Sequence, residues 1–288
     1  EEIIMKQEIT DLHVHSNCSD GTYTPEELVR YAHEKGLKAF ALTDHDSVDG
    51  LEAALKAAEG LDLEVVCGIE FSTGHLGKDV HIVGLDIRYD DPVFKGKMEE
   101  FRRTRDGRNG KLIRKMQQDG IAISEERLKE MFGEPVITRA HFAGFMMREG
   151  YADSLREAFD RYFAEDCIYY VPREKLTPHE VVRLIASAGG IPVLAHPLLY
   201  HFTDDQMEEL ILSLKEEGLI GIEAIYSTHT REDEEKVRRW AERFSLEISG
   251  GSDFHGSHKP GLDLASGYGS LCVPYEVLEN LRRRRDHG

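Results

Sequence analysis

Histidine and carboxylate side chains occur in short clusters at the ends of predicted β-strands, and these clusters are spread over most of the chain. The series begins with Asp11-Leu12-His13-Val14-His15 and closes with Ser252-Asp253-Phe254-His255. Strands so distant in sequence can deliver these groups to one pocket only if they run side by side and end at the same edge of a sheet. The pattern therefore predicts a multinuclear metal site, and a site of that kind predicts hydrolysis.

The segments between these clusters alternate between two periodicities. Short apolar runs predict strands at residues 8–15, 37–43, 63–71, 80–87, 191–195, 219–226 and 246–249. Amphipathic spacing and capping residues predict helices that begin at 24 and that cover 47–59, 177–188, 204–217, 231–244 and 275–285. Regular alternation of strand and helix implies a parallel sheet. Six to seven such units around one core favour an α/β fold of the (β/α) barrel kind.

One part of the chain departs from this alternation. Residues 90–165 predict helices at 93–118, 124–132, 138–150 and 153–163, with no convincing strand between them. We interpret this segment as a helical insertion that serves as a lid or substrate-binding domain. The barrel domain would then comprise residues 1–89 and 166–288.

Composition limits where the protein works. No run of about 18 apolar residues could span a bilayer, so we expect no membrane association. The first residues lack the basic and apolar regions of a secretion signal. The 4 cysteines are scattered without a Cys-x-x-Cys pair, which favours a reducing compartment and argues against a thiolate zinc site. We therefore expect a cytoplasmic protein, and nothing in the sequence indicates an obligate protein partner.

The formal net charge of −18 bears on the class of function. An acidic surface repels nucleic acid and phosphate esters in general, but divalent cations held by clustered carboxylates cancel that charge locally. The charge therefore disfavours a non-specific nucleic-acid binder more than a metal-dependent phosphatase. The segment Gly107-Arg108-Asn109-Gly110-Lys111 lacks the spacing of a phosphate-binding P-loop, which excludes an ATPase of that type.

The metal ligands can be proposed from residue type and position. His13 and His15 are separated by one residue, so both side chains point to the same face of an extended strand. The full set of candidates is His13, His15, Asp20, His45, Glu70, His81, His196, Asp253 and His255. Imidazole and carboxylate together suit Mn, Fe or Zn. Nine ligands are too many for one tetrahedral ion, whereas two or three divalent ions with Glu70 as a bridge fit the count.

Several of these clusters resemble the motifs of the PHP (polymerase and histidinol phosphatase) superfamily. They are Asp11-Leu12-His13-Val14-His15-Ser16, Thr43-Asp44-His45-Asp46, Gly68-Ile69-Glu70, Ala195-His196-Pro197 and Gly251-Ser252-Asp253-Phe254-His255. The resemblance implies a distorted (β/α)7 barrel with a trinuclear site. It would assign His13, His15, Glu70 and Asp253 to one ion, Glu70, His81 and His196 to a second, and Asp20, His45 and His255 to a third. Asp20 stands where many relatives carry histidine.

The insertion narrows the resemblance to one branch of that superfamily. Together with Thr138-Arg139-Ala140-His141 and Tyr170-Val171-Pro172-Arg173, it is similar to stand-alone bacterial 3′,5′-nucleoside bisphosphate phosphatases and 5′-to-3′ RNA trimming enzymes. This resemblance implies that the insertion covers the active site and contributes groups that contact the substrate.

The substrate contacts are predicted from local context. Arg139 and His141 follow the helix cap Thr138, where helix amides and an arginine can bind phosphate. Each could instead be an ordinary surface or packed residue. Further candidates for substrate binding are Lys175, Ser72, Tyr226 and His229.

A basic stripe on the first inserted helix comprises Arg105, Arg108, Lys111 and Lys115. It could guide a polyanion toward the metals, but we interpret it as a solvated face paired with Glu99 and Glu100.

These observations lead to one main hypothesis. We expect a phosphoesterase that removes the 3′-phosphate of 3′,5′-nucleoside bisphosphates and also trims short RNA 5′ ends. A hydroxide that bridges two ions would attack phosphorus, and His196 or Asp253 would assist proton transfer. A histidinol-phosphate-type or other small-molecule phosphatase is the alternative enzyme. A regulatory metal-binding domain is the alternative from another class, but it would require missing ligands.

Overall fold

The computed structural model describes residues 8–133, 137–164, 167–171 and 176–287. The strands are β1 (Ile9–Val14), β2 (Ala39–Leu42), β3 (Glu64–Cys67), β4 (Ile69–His75), β5 (Lys78–Leu85), β6 (Ile191–Leu194), β7 (Gly221–Tyr226), β8 (Glu247–Gly251) and β9 (Val273–Pro274). The helices are α1 (Pro25–Glu34), α2 (Leu51–Ala57), α3 (Pro92–Gln118), α4 (Glu125–Phe132), α5 (Arg139–Arg148), α6 (Leu155–Ala158), α7 (Pro178–Ser187), α8 (Asp204–Glu216), α9 (Arg231–Phe244) and α10 (Tyr275–His287).

The strands form two sheets. One has the order β3-β2-β1-β9 and the other the order β4-β5-β6-β7-β8. Neighbours from β1 to β3 and from β6 to β8 are parallel, as strand-helix alternation predicts. The prediction of a wholly parallel sheet is wrong, because β5 is antiparallel to both β4 and β6, and β9 is antiparallel to β1.

The antiparallel pair arises from a tight turn. Leu76 and Gly77 join β4 to β5 with φ values of 50° and 74°, and His75 pairs with Lys78. Positive φ at both central residues is the geometry that connects twisted antiparallel strands through two residues. A glycine in the second position lowers the cost of that turn.

The single strand predicted at residues 63–71 is divided at Gly68. A Cβ at this position would lie 2.8 Å from Thr43 Cγ2 and 2.9 Å from the Leu42 carbonyl oxygen. The chain therefore bends where only glycine fits, so that β3 belongs to one sheet and β4 to the other. As a result, Glu70 lies near the start of a strand and not at the end of one.

The two sheets approach each other on both sides. The His15 amide donates to the Phe254 carbonyl at 2.9 Å, and the Asp253 amide donates to the His13 carbonyl at 2.8 Å. On the other side, an isolated bridge joins His45 to Glu70. The mixed α/β class is confirmed, whereas the closed seven-stranded barrel stays a prediction because the two sheets are not joined into one ladder.

Successive side chains along β2 point to opposite faces of the sheet. In β2, Phe40 and Leu42 pack toward the surrounding helices, and Ala39 and Ala41 pack in a second cluster that includes Leu281 of α10. Burying a large apolar side chain contributes roughly 1.5–3 kcal/mol, so this double-sided burial fixes the register of the strand.

The inserted helices have a core of their own. Its members include Leu112, Met116, Phe142, Phe145 and Phe163. Helix α3 spans both units, because its earlier residues Phe94 and Phe101 pack with the cluster between sheets and helices. Within the described ranges, the helices lack the combination of length and apolar character that crossing a membrane requires.

Candidate metal centre and active site

The nine predicted metal ligands lie in one cluster at one edge of the two sheets. Each belongs to at least one group whose ligand atoms lie within 4.8 Å of one another. The groups are His15, Asp20, His45 and His255; His13, Glu70 and His196; His13, His15 and Asp253; and His45, Glu70 and His81. His81 occupies the middle of β5, not its start, and reaches the cluster because β5 pairs with β4.

Glu70 lies at the centre of this cluster. Its Oε2 atom lies 3.3 Å from His13 Nε2 and 3.2 Å from His15 Nε2. Its Oε1 atom lies 2.8 Å from His81 Nδ1 and 3.0 Å from His196 Nε2. Burial raises the pKa of Glu70, but the imidazoles around it hold that pKa well below its usual value. The two oxygens thus face two different sets of imidazoles, as a bridging carboxylate would.

The two carboxylate oxygens of Asp253 also contact different groups of residues. Oδ1 lies 3.4 Å from His15 Nε2 and 3.3 Å from His255 Nδ1. Oδ2 accepts a hydrogen bond from the Tyr226 hydroxyl at 2.7 Å and contacts the Lys259 ammonium group. One oxygen therefore belongs to the cluster, and the other is held from outside it.

Asp20 approaches the third group of imidazoles. Its Oδ1 atom lies 3.2 Å from His255 Nε2, and its Oδ2 atom lies 3.8 Å from His45 Nε2. The His258 imidazole donates to the Asp20 carbonyl at 2.7 Å, which fixes the loop that carries the carboxylate.

The chemistry of the cluster fits divalent metal ions. Buried side-chain atoms without a hydrogen-bond partner among the described residues include His13 Nε2, both ring nitrogens of His15 and Asp20 Oδ1. The ring centroids of His15 and His255 are only 4.1 Å apart. Native proteins rarely leave converging buried nitrogens and carboxylates unpaired, and divalent cations would satisfy them.

Two further buried carboxylates support the ligands. Glu223 in β7 lies 3.1 Å from His13 Nδ1 and accepts the amide of His196 at 2.8 Å. Asp11 accepts the amides of Ser252 and Ala265, each at 2.8 Å. Neither residue is among the site residues predicted from the sequence. A glutamate inside the otherwise apolar run at 219–226 was the available signal for Glu223.

The backbone at the cluster is strained. His196 and Asp253 have φ values of 24° and 58°, and Asp46, next to His45, has 47°. Such conformations cost on the order of 1–3 kcal/mol each and are kept where the surrounding structure enforces them. At Gly251 a Cβ would lie 2.4 Å from the His13 Cβ, so the approach of β8 to β1 requires glycine.

A cleft with two lobes opens onto the cluster, and both lobes include Asp20, His45 and His81 in their walls. The first, which we call the basic lobe, has a volume of about 200 Å³ and is lined by Arg105, Arg108 and Arg139. The second, which we call the apolar lobe, has a volume of about 340 Å³, and its walls include Phe132, Leu155, Leu199, Tyr226 and Lys259.

Helix α3 supplies two of these arginines. Arg105 and Arg108 are only 4% and 9% exposed, and Arg105 pairs with Asp46. The interpretation of the basic stripe as a solvated face is therefore wrong for these two residues, because that part of the helix faces the cleft. Lys111 and Lys115, farther along α3, are exposed.

The predicted substrate contacts differ in their positions. Arg139 and Ser72 line the basic lobe, and His141 and Tyr226 line the apolar lobe. Arg139 pairs with Asp79, and its guanidinium lies 5.3 Å from the centre of the Phe159 ring. Lys175 lies outside the described residues.

His141 and His229 have local structural partners. Nδ1 of His141 accepts the Thr138 amide at 3.0 Å as part of the predicted helix cap, and burial lowers the His141 pKa to about 4. His229 lies 2.9 Å from the Ala224 carbonyl through Nδ1 and is absent from the described residues that line either lobe.

Comparison with known proteins identifies the family. The sequence profile of the PHP domain matches residues 11–217, which is more than half of the chain. The chain belongs to the PHP domain family. A 5′-3′ exoribonuclease of Haemophilus influenzae is 34% identical over 85% of this chain and 89% of its own. A 3′,5′-nucleoside bisphosphate phosphatase of Chromobacterium violaceum is 33% identical over 88% of this chain and 90% of its own.

A solved structure agrees with this assignment. A protein of Bifidobacterium adolescentis, described as a metal-dependent phosphoesterase, has a TM-score of 0.83 and 26% identity over 96% of both chains. This PHP protein is accordingly a hydrolase of phosphoric esters.

Proposed function

We propose that this PHP protein hydrolyses the 3′-phosphate of 3′,5′-nucleoside bisphosphates with the help of two or three divalent ions, Mn, Fe or Zn. The observation that carries this proposal is the position of the cluster where a basic lobe and an apolar lobe meet. In a 3′,5′-nucleoside bisphosphate both phosphates are attached to the ribose, so with the 3′-phosphate at the cluster the 5′-phosphate can extend into the basic lobe and the base into the apolar lobe.

The ligands that we propose are the nine residues whose side chains converge on Glu70, Asp253 and Asp20. Glu70 would bridge two ions, because its two oxygens face different imidazoles. Bound divalent ions would supply Lewis acidity toward the phosphoryl oxygens and the attacking water. We keep His196 and Asp253 as the residues that assist proton transfer. His196 has a buried Nδ1 without a hydrogen-bond partner among the described residues.

The basic lobe is the proposed seat for the second phosphate. The N-terminus of α5 borders it through Thr138, Arg139 and Ala140, and Arg108 of α3 lies in the same wall. Helix amides and guanidinium groups both favour phosphate. Arg139 is paired with Asp79, so a bound phosphate would compete with that carboxylate for the guanidinium. Ser72 and Lys175 stay candidate contacts.

The apolar lobe favours a nucleoside over histidinol. Phe132, Leu155 and Leu199 offer apolar contact to a sugar and a planar base. The carboxylates that line this lobe, among the described residues, are Asp20, Glu70 and Asp253, and all of them belong to the cluster. An ammonium group such as that of histidinol would therefore find no separate acidic partner there. His141 and Tyr226 stay candidate contacts, and so does His229 beyond the lobe.

Other features complete the proposal. Residues 90–165 would act as a substrate-binding unit over a barrel of residues 1–89 and 166–288, a division that the separate core of the insertion supports. Short RNA 5′ ends are a second proposed substrate, because relatives of similar length are named as exoribonucleases. The scattered cysteines support a cytoplasmic location.

A substrate screen with purified protein tests the function. Phosphate release would be measured with 3′,5′-nucleoside bisphosphates, nucleoside monophosphates, histidinol phosphate and short 5′-phosphorylated RNA, with Mn, Fe or Zn supplied. We expect the largest kcat/KM for a 3′,5′-bisphosphate. A larger kcat/KM for histidinol phosphate, or no release from any ester, would contradict the proposal.

A further inference from the structure

Lys259 is a cation that lies beside the proposed metal ligands without being one of them. It follows the 3₁₀ turn Gly256–His258, and its Nζ atom contacts Oδ2 of Asp253. The other oxygen of that carboxylate faces the imidazoles of His15 and His255. The lysine therefore contacts the oxygen of Asp253 that does not face those imidazoles.

Lys259 also forms part of the wall of the apolar lobe. Its side chain remains 33% exposed although it contacts a buried carboxylate. Among the described residues that line this lobe, it is the only lysine or arginine. A single ammonium group thus lies where the apolar lobe meets the cluster.

The loop that carries Lys259 is anchored to the loop that carries Asp20. The Ser257 amide donates to the Thr22 hydroxyl at 3.0 Å, and the His258 imidazole donates to the Asp20 carbonyl at 2.7 Å. Gly256 has a φ of 63°, and a Cβ there would overlap Thr22 Oγ1 at 2.0 Å. These contacts fix the loop, and the contact with Asp253 positions the ammonium group before a ligand arrives, which is what an electrostatic contribution to catalysis requires.

We propose that Lys259 is a catalytic residue that donates a hydrogen bond to the oxygen that joins phosphorus to the nucleoside. This inference rests on the proposed function. With the 3′-phosphoryl group at the cluster and the base in the apolar lobe, the ester oxygen joins phosphorus to the ribose near the boundary between the cluster and that lobe. Lys259 is the cation at that boundary.

The chemical step explains why a cation is useful there. The oxygen of water forms a bond to phosphorus, and the ester bond breaks with its electron pair remaining on the nucleoside oxygen. A proton of the attacking water ends on that oxygen, so the products are a nucleoside hydroxyl and inorganic phosphate. Negative charge develops on the leaving oxygen before the proton arrives, and the ammonium group of Lys259 stabilises it while staying charged.

A different role for Lys259 would be only to hold Asp253. The chain offers a matched control for that role, because the Tyr226 hydroxyl donates to the same Oδ2 atom at 2.7 Å. A Tyr226→Phe variant removes one hydrogen bond from Asp253 but no charge. Lys259→Met removes the charge, and Lys259→Arg keeps it.

The experiment compares esters with poor and good leaving groups. The kcat of wild type and the three variants would be measured with a 3′,5′-nucleoside bisphosphate and with 4-nitrophenyl phosphate, alongside metal content by elemental analysis. We expect Lys259→Met to lose about a hundredfold in kcat on the nucleotide, the usual scale for one preorganised donor, and much less on the aryl ester. Lys259→Arg should recover part of the loss, and Tyr226→Phe should change the ratio of kcat between the two esters much less than Lys259→Met does.

Several outcomes would overturn the inference. They are an unchanged kcat in Lys259→Met, an equal loss on both esters, and a loss of bound metal that accounts for the lower activity. If Lys259→Met does not fold, the test uses Lys259→Arg alone. An equal fold decrease in the kcat of Lys259→Arg on the two esters would then overturn the inference as well. In each of these cases the proposed function is retained if the wild-type protein hydrolyses the 3′,5′-nucleoside bisphosphate. A wild-type protein that does not hydrolyse it would contradict both the proposed function and the inference on Lys259.

Discussion

The cluster of proposed metal ligands and the cleft above it are built in different ways. The cluster consists of imidazoles and carboxylates from strands and adjoining loops that are distant in sequence, and Glu70 contacts imidazoles through both of its oxygens. The cleft depends on inserted helices whose arginines pair with Asp46 and Asp79 at the rim of the sheets. The cluster requires particular residue types, whereas the cleft requires ordinary residue types on the correct face of a helix.

The largest effect is expected from Glu70→Gln. An amide cannot supply the negative charge between the imidazoles of His13, His15 and His81, so we expect loss of bound metal. Turnover should fall by at least about a hundredfold. Elemental analysis and phosphate release measure the two effects, with the exposed Glu52→Gln as control. A Glu70→Gln protein that keeps its metal and its turnover would remove the bridging role.

A smaller effect on the same cluster is expected from Glu223→Gln. This carboxylate orients His13 through Nδ1 and holds the His196 amide. Partners that orient metal ligands typically contribute about 10–100-fold in metal affinity. Titration of chelator-treated protein with Mn or Zn should therefore require correspondingly more metal to restore activity, while exposed Glu232→Gln should behave as wild type. An unchanged titration curve would show that Glu223 serves folding alone.

The cleft is tested by Arg139→Met. If Arg139 binds the second phosphate, the substitution removes charge-assisted hydrogen bonds worth about 1.5–3 kcal/mol, so KM for a 3′,5′-bisphosphate should rise roughly tenfold or more. KM for a 3′-monophosphate, which has no second phosphate, should be unchanged. Arg156→Met, at an exposed position on α6, is the matched control. Equal changes in KM for both nucleotides would contradict this assignment.

The smallest effect is expected from Gly144→Ala in α5. A Cβ there would lie 3.0 Å from Phe132 Cζ, so the ring must shift within the wall of the apolar lobe. KM for nucleotides should rise a few-fold, with little change for a phosphomonoester that has no base.

Gly107→Ala in α3 is the matched control for that substitution. A Cβ at Gly107 meets no atom within 4 Å, and alanine should stabilise the helix by about 0.5–1 kcal/mol without changing KM. Thermal unfolding and KM measurements together distinguish the two variants. A rise in KM for Gly107→Ala would show that the effect of Gly144→Ala is not specific to the lobe.

Much of the fold follows from local patterns. The helix start at Thr24 is confirmed, with a reciprocal cap between Thr24 and Glu27 and proline in the first turn. The strand predicted at 63–71 and the wholly parallel sheet are wrong for a physical reason. The pattern of apolar residues indicates which residues are buried. It does not indicate that Gly68 allows a bend or that Leu76 and Gly77 form a two-residue turn.

The sequence by itself determined the residues of the cluster, because few side chains can bind divalent ions and their positions at predicted strand ends imply a common edge. Only the tertiary structure decided that Glu223 supports His13, that Arg105 and Arg108 face the cleft, and that Lys259 reaches Asp253. Lysine, arginine and glutamate are common on solvated surfaces. Their roles depend on which side chains they meet, and the packing of strands and inserted helices sets those contacts.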